Sequence, residues 1–259
     1  MTPSPSSHNR HIHVYGCWLT SREGDIVDIT LIRGTLAEFL GTFTLVFIGA
    51  ASVIIAPIFG LAAPAFAHGL IVTGLIYTYG HFSGAQFNPA VTCGLLVGGK
   101  QTILTSLVYM VAQLVGGVVA TFALMVLIGG GESMYLPEAI AGVGFNFGQT
   151  TGYLTADAIW QAATIEAILA FLLVSTIFQA AVYGKAGNFA GVAIGLTLAA
   201  LIFAAGPLTG ASINPARTFG PALAAGNLSY VVPYFVGLFA GGALAGLLHG
   251  YVLVPEDAS

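Results

Sequence analysis

Hydrophobic residues gather in six long stretches, while polar residues gather at the start of the chain and between the stretches. Each stretch is close to the ~20 residues that an α-helix needs to cross the hydrocarbon of a bilayer. An even number of spans places both chain ends on one side of the membrane. The pattern predicts six membrane-spanning helices, at about 34–56, 61–80, 103–128, 158–182, 186–205 and 230–254.

The polar stretches set the domain limits. Residues 1–31 contain prolines and a serine cluster without an apolar run long enough for a signal peptide, so we interpret them as a flexible N-terminal tail. Residues 32–254 form the membrane domain, and 255–259 form a short C-terminal tail. Loops that hold Lys and Arg stay in the cytoplasm, and these residues fall before spans 1 and 3 and between spans 4 and 5. Both termini are therefore predicted to be cytoplasmic.

Two connections, 81–101 and 206–229, are too apolar for solvated loops and too short to cross the membrane and return. They predict two re-entrant segments, each with a half-helix. Each connection carries the same tripeptide, which is Asn88-Pro89-Ala90 in one and Asn214-Pro215-Ala216 in the other.

The chain also contains an internal duplication, of about 33–128 and 156–254. Glu38 and Glu166 precede the two tripeptides at similar distances, and a Gly-Gly pair follows each of them. Because each copy has three spans, the second copy enters the membrane from the opposite side, giving an inverted repeat. The predicted fold is all-α, with six spans and two re-entrant half-helices.

Asn is favoured as a helix N-cap and Pro at the first helical position, so each tripeptide predicts a helix start. Two half-helices that meet N-terminus to N-terminus place partial positive charge near the bilayer centre, which repels cations. Non-helical backbone at that depth is tolerated where it lines a water-filled cavity. The Asn88 and Asn214 amides could then donate to a small neutral molecule in a pore. For a single copy, an ordinary turn would be the simpler interpretation.

Three charged residues fall inside the membrane domain. Arg217 in lipid would cost ~2.5–3.5 kcal/mol, so we expect it to face a wet cavity or a partner, the alternative being a side chain that reaches the membrane interface. We expect Glu38 and Glu166 to act as scaffold carboxylates that accept bonds from the backbone N–H groups of the re-entrant segments. The alternative for both is a proton relay.

Composition excludes several classes of protein. Charged residues are 6% of the chain and hydrophobic residues 57%, which excludes an ordinary soluble enzyme or a disordered protein. A net charge of −4 offers no basic face for nucleic acid. We find no catalytic motif, and we expect no enzymatic activity, metal or cofactor.

The paired Asn-Pro-Ala tripeptides, with Arg217 after the second, resemble those of the major intrinsic protein family, the aquaporins and aquaglyceroporins, over roughly 33–254. The resemblance implies a homotetramer with one pore per subunit. It also implies selectivity through pore diameter, lining hydrogen-bond groups and an Arg or half-helix dipoles that exclude cations and protons.

In this family four residues form the narrowest point of the pore, and here they match His68, Ile202, Ala211 and Arg217. That set is most similar to the tonoplast intrinsic subgroup of plants. Ile202 stands where strict water channels usually have His, which leaves ammonia and urea as further solutes. Thr218 replaces the Asp of glycerol facilitators, which disfavours glycerol. For His68 the residues alone equally allow a buried core histidine.

We therefore expect a passive water channel that excludes ions and protons, with ammonia, urea or other small neutral solutes left open as further solutes; the sequence does not separate water from ammonia, urea or hydrogen peroxide as the physiological solute. The alternatives are a glycerol and small-solute facilitator of the same family, an ion-coupled secondary transporter, and a scaffold or adhesion protein. The expected partners are the solutes, the lipid bilayer and further copies of the chain. The membrane would be the plasma or inner membrane in a prokaryote and the vacuolar membrane in a plant.

Overall fold

The computed structural model describes residues 12–14, 17–19, 29–128 and 146–256. Within these ranges six long helices cross the fold: span 1 is Ile29–Ile54, span 2 Ala62–Ser83, span 3 Ile103–Leu127, span 4 Ile159–Ile177, span 5 Ala190–Thr209 and span 6 Val231–Leu247. The first half-helix is Pro89–Val97 and the second is Pro215–Ala224. The predicted fold of six spans and two half-helices is confirmed.

Smaller elements complete the described chain. Short helices cover Ala56–Phe59 and Tyr153–Asp157, a 3₁₀ turn covers Gly187–Phe189, and π-helical turns extend spans 4 and 6 over Phe178–Val182 and Leu248–Val252. The predicted tail 1–31 lies mostly outside the described residues. In it, Ile12–Val14 pairs antiparallel with Cys17–Leu19. Of the predicted C-terminal tail, 257–259 lies outside the described residues.

The helices have the length and surface of an integral membrane protein. Among the described residues, five helices are long and apolar enough to cross a membrane. Span 2 is a 22-residue helix but includes polar residues such as His68 and His81, which lower its apolar character. Large apolar side chains cover the outside of the bundle, for example Val126, which is 79% exposed. Such a surface fits lipid rather than water.

The two repeats are interleaved. Span 1 packs on span 3, span 4 packs on span 6, and spans 2 and 5 pack on each other. Each half-helix packs on the third span of the other repeat: the first half-helix on span 6 and the second on span 3. Neither repeat therefore encloses its own half-helix, and the two copies must fold together.

Glycines allow this close packing between helices. A Cβ at Gly241 would lie 2.0 Å from the carbonyl oxygen of Ala167, and one at Gly242 would lie 2.3 Å from that of Ala90. On span 3, a Cβ at Gly117 would lie 2.6 Å from the carbonyl oxygen of Ala216. Small residues let helix backbones approach in membranes, where apolar burial between helices has little driving force. Gly117 and Gly242 therefore let the half-helices pack against spans 3 and 6, and Gly241 lets span 6 pack against span 4.

Candidate functional site

The two half-helices begin in the same way. Asn88 and Asn214 are extended N-cap residues with φ of −155° and −148°, each followed by Pro at the first helical position. The Oδ1 of Asn88 accepts from the N–H of Ala90, and that of Asn214 from the N–H of Ala216, both at 2.9 Å. Each cap thus fixes its side-chain oxygen and leaves the amide nitrogen for other contacts.

The amide nitrogens link the two repeats at the centre of the fold. Asn88 Nδ2 donates to the carbonyl oxygen of Ile213, and Asn214 Nδ2 donates to that of Phe87, both at 2.9 Å. Both asparagines are 4% exposed. Since an amide carries two N–H groups, each asparagine keeps one further donor. The two helix N-termini therefore meet, with their partial positive charges side by side.

The backbone before each asparagine is strained. We call residues 83–88 hairpin one and residues 209–214 hairpin two. Non-glycine residues have positive φ in both: Ala85 (53°) and Phe87 (50°) in the first, Ala211 (42°) and Ile213 (61°) in the second. Such conformations cost of order 1–3 kcal/mol each and persist only where the surroundings hold them.

Two buried carboxylates hold these hairpins. Glu38 on span 1 accepts from the N–H of Gln86 at 2.9 Å and from that of Phe87 at 2.6 Å. Glu166 on span 4 accepts in the same way from Ser212 at 2.9 Å and Ile213 at 2.8 Å. Both carboxylates are 0% exposed. In each of these bonds a carboxylate oxygen accepts from a backbone N–H group that the strained turn would otherwise leave without a partner.

A cavity of about 320 Å³ runs beside the asparagines. At one end it is lined by His68 and Arg217, which we call the Arg217 mouth, and at the other by Gln86, Lys100 and Gln101, the Lys100 mouth. Among the described lining residues, the charged side chains are two cations, Lys100 and Arg217, with no carboxylate. The arrangement suits a neutral molecule and disfavours a cation.

Arg217 is held at its mouth by two acceptors. Its Nε donates to His68 Nε2 at 3.1 Å, and its Nη1 donates to the carbonyl oxygen of Gly148 at 2.6 Å. His68 Nδ1 lies 2.7 Å from the carbonyl oxygen of Pro64, so Nδ1 carries the proton and Nε2 is free to accept from Arg217. Arg217 is 2% exposed.

Two glycines make room for this arrangement. A Cβ at Gly49 on span 1 would lie 2.3 Å from His68 Nε2, and one at Gly148 would lie 2.6 Å from Ala50. Gly148 also has a φ of 68°, which favours glycine. The ring of His68 and the backbone of Gly148 thus both lie against span 1, at Gly49 and Ala50.

The four predicted filter residues fall into two groups. His68 and Arg217 line the cavity and bond to each other. Ile202 and Ala211, each 4% exposed, pack in an apolar cluster to which spans 1, 2, 4 and 5 and both hairpins contribute. The cavity lining includes their neighbours Leu198 and Ser212 instead. Their part in a filter stays a prediction.

Sequence reasoning missed the backbone carbonyl of Gly148 and the side chain of Gln101. Asn146 and Gly148 give a local turn signal, and Asn146 Oδ1 indeed accepts from the N–H of Gly148 at 2.9 Å. That signal does not reveal which cavity the turn enters. In the described part of the chain, no group of three His, Cys, Asp or Glu residues could hold a metal ion.

Comparison with known proteins gives consistent results. A family model described as Major intrinsic protein matches residues 25–249. The chain is 36% identical over 248 residues to the probable aquaporin TIP2-2 of Arabidopsis thaliana. The aligned region covers 91% of this chain and 93% of that protein. The chain is 38% identical over 247 residues to aquaporin TIP2-1 of Arabidopsis thaliana, covering 90% and 92%.

A solved structure has the same fold. The X-ray structure of the aquaglyceroporin from Plasmodium falciparum superimposes with a TM-score of 0.74, covering 87% of this chain and 98% of that one. The two sequences are 24% identical, so this likeness concerns the architecture alone.

Proposed function

Because this chain belongs to the major intrinsic protein family, we propose that it is a passive membrane channel for water and small neutral solutes. The observation that carries the proposal is the cavity beside Asn88 and Asn214, which reaches from the Lys100 mouth to the Arg217 mouth. The curated relatives with similar sequences are named aquaporins. Since family members are channels, we assign no enzymatic step to the chain.

We infer that the asparagines orient each passing molecule. Asn88 and Asn214 each have one N–H left after the cross-bond to the opposite hairpin. A water molecule that accepts from these donors turns its own hydrogens away, toward acceptors further along the passage. A continuous donor chain through the centre is then broken, which opposes proton transfer. The two half-helix N-termini and the two lining cations oppose other cations.

Selectivity is proposed to lie at the Arg217 mouth. His68, Ile202, Ala211 and Arg217 would form the narrowest ring, with Arg217 providing its fixed charge. Ile202 makes one side of that ring apolar, so ammonia and urea are proposed as additional solutes. The ring also has the small Ala211, which leaves room for a solute wider than water.

We further propose a homotetramer with both termini in the cytoplasm. Each subunit would have its own pore, and the large apolar side chains on the outside would divide between lipid and neighbouring copies. The orientation rests on Arg33, Lys100 and Lys185, which all fall on one side of a six-span topology. The similarity to plant aquaporins of the TIP2 type favours the vacuolar membrane if the source is a plant.

Stopped-flow light scattering of proteoliposomes tests this function. We expect osmotic shrinkage faster than in empty liposomes, with low activation energy and no dependence on a proton or sodium gradient. Arg217→Val should raise urea or cation leakage, because it removes the charge at the mouth. Arg33→Val, at an exposed position near the start of span 1 and outside the cavity lining, serves as control. Shrinkage equal to that of empty liposomes would contradict the channel. Dependence on an ion gradient would favour a secondary transporter, and glycerol permeability above that of urea would favour a glycerol facilitator.

A further inference from the structure

The Lys100 mouth contains a pair of glutamines that belongs to neither the asparagine centre nor the Arg217 mouth. Gln86 Nε2 donates to Gln101 Oε1 at 2.5 Å and to the carbonyl oxygen of Ser83 at 3.4 Å. Both glutamines line the cavity, and Gln86 is 8% exposed. The pair thus combines an internal hydrogen bond with a position on the passage.

Each glutamine has an amide atom without a partner. Gln86 Oε1 and Gln101 Nε2 are buried, and neither has a hydrogen-bond partner among the described residues. Buried polar groups are normally paired, and an unpaired one costs about 1–3 kcal/mol. If both amides were turned over, Gln101 would donate to Gln86, and one donor and one acceptor would again be left. In either orientation the pair keeps one donor and one acceptor open, that is, without a hydrogen-bond partner.

The pair is built on fixed backbone. The N–H of Gln86 donates to Glu38 Oε1 at 2.9 Å, which anchors it to span 1. The N–H of Lys100, the residue before Gln101, donates to the carbonyl oxygen of Leu95 at 2.8 Å, which closes the first half-helix. Both side chains therefore start from backbone positions that hydrogen bonds hold in place, as a binding site requires.

The charge at this mouth selects the class of ligand. Lys100 Nζ lies 5.0 Å from the centre of the Tyr183 ring, so a cation is held at the edge of the passage. No carboxylate is among the described lining residues to attract a positive solute. A neutral molecule that carries a carbonyl acceptor next to an N–H donor matches the open groups. That pattern is an amide of the urea class.

The opposite mouth has no equivalent site. Ser212 in hairpin two occupies the position that Gln86 occupies in hairpin one. Its hydroxyl donates to the carbonyl oxygen of Asn214 at 2.9 Å and also contacts the hydroxyl of Thr218. Its polar atoms are satisfied within the protein, so the open pair exists at the Lys100 mouth alone within the described structure.

We propose that Gln86 and Gln101 form a second solute-binding site, specific for small neutral amides such as urea. When the two side chains turn these buried atoms toward the passage, the urea carbonyl accepts from Gln101 Nε2 while a urea N–H donates to Gln86 Oε1. The site rests on the proposed channel function and adds a binding step at the mouth opposite to Arg217. Because water moves in single file, urea bound at this site slows water.

The test measures osmotic water permeability of proteoliposomes with equal urea concentrations on both sides. Urea should inhibit water permeation through the unmodified channel in a saturable way. In Gln101→Leu, which removes the open donor, the urea concentration for half inhibition should rise about threefold to tenfold, as expected for one lost hydrogen bond. Gln101→Glu keeps the size of the side chain, removes the donor, and should show the same rise.

The matched control is Gln161→Leu, the same substitution at an exposed position on span 4. It should keep both the urea inhibition and the water permeability of the unmodified channel, and each Gln101 variant is compared with its own water permeability in the absence of urea. Equal half-inhibition in Gln101→Leu, Gln101→Glu and the unmodified channel would overturn the site, as would an absence of urea inhibition. In both cases the water channel itself would stand. Water permeability equal to that of empty liposomes would instead overturn the proposed function.

Discussion

Hairpin one and hairpin two have nearly the same backbone but are braced from different sides. The φ angles of Gly84 and Gly210 are 85° and 83°, and a carboxylate accepts from the same pair of N–H groups in each hairpin. Glu38 also accepts from Gln113 Nε2 of span 3 at 2.7 Å, whereas no glutamine of the described chain contacts Glu166.

Hairpin two is braced by the segment 146–152, which lies between the repeats. A Cβ at Gly210 would lie 2.4 Å from the backbone of Thr150, and Tyr234 Oη donates to the carbonyl oxygen of Thr209 at 2.7 Å. The same segment supplies the Gly148 carbonyl that accepts from Arg217. The central scaffold is thus common to both predicted repeats, while the segment 146–152, which lies outside them, gives the Arg217 mouth its geometry.

The largest expected effect comes from removing the buried carboxylate that holds either hairpin. Glu38→Ala or Glu166→Ala leaves two backbone N–H groups unpaired in a strained turn, at about 1–3 kcal/mol for each donor. We expect both variants to lose most of the folded protein, which size-exclusion chromatography in detergent and thermal unfolding measure. If either variant folds with an unchanged melting temperature, the carboxylates do not hold the hairpins.

The next effect concerns the Arg217 mouth alone. In Gly49→Ala the new methyl group meets His68 Nε2 and pushes the ring away from span 1 toward the cavity, which breaks the bond to Arg217. We expect a severalfold fall in water permeability with little loss of folded protein. Gly74→Ala on span 2, where nothing lies within 4 Å of the new Cβ, is the matched control. Equal permeability in both variants would mean that Gly49 does not position His68.

The smallest effect concerns the brace of hairpin one. Gln113 stands three residues before Gly116, and Leu238 stands three residues before Gly241, so Gln113→Leu makes the first repeat resemble the second. Glu38 keeps its backbone donors, and Thr92 still donates to the carbonyl oxygen of Asn88. We expect a loss of about 1–2 kcal/mol in stability and unchanged water permeability per channel. Loss of permeability without loss of stability would show that Gln113 acts on conduction.

The spans and the half-helix starts could be predicted from the sequence because their causes are local. Apolar length determines a span, and an N-cap Asn followed by Pro determines a helix start. The predicted duplication also indicated which Glu belongs with which tripeptide, because Glu38 and Glu166 precede the two tripeptides at similar distances. Span 2 was the least apolar of the six, because polar side chains such as His68 face the cavity rather than lipid.

The remaining features depend on contacts between distant segments. The cross-bond of Asn88 to Ile213 joins residues that are 125 positions apart, and that of Arg217 to Gly148 joins residues 69 apart. The carbonyl groups involved belong to the backbone, so the residue type carries no signal. Gln86 differs from its counterpart Ser212, but the sequence does not show that its partner is Gln101.

The most direct test of the account is an experimental structure of the protein in a lipid nanodisc, at a resolution that shows ordered water. We expect Asn88 Nδ2 and Asn214 Nδ2 to lie 2.9 Å from the carbonyl oxygens of Ile213 and Phe87. A file of water should pass both asparagines and connect the Lys100 mouth with the Arg217 mouth. Separated hairpins, or apolar side chains that fill the space between the mouths, would contradict the account.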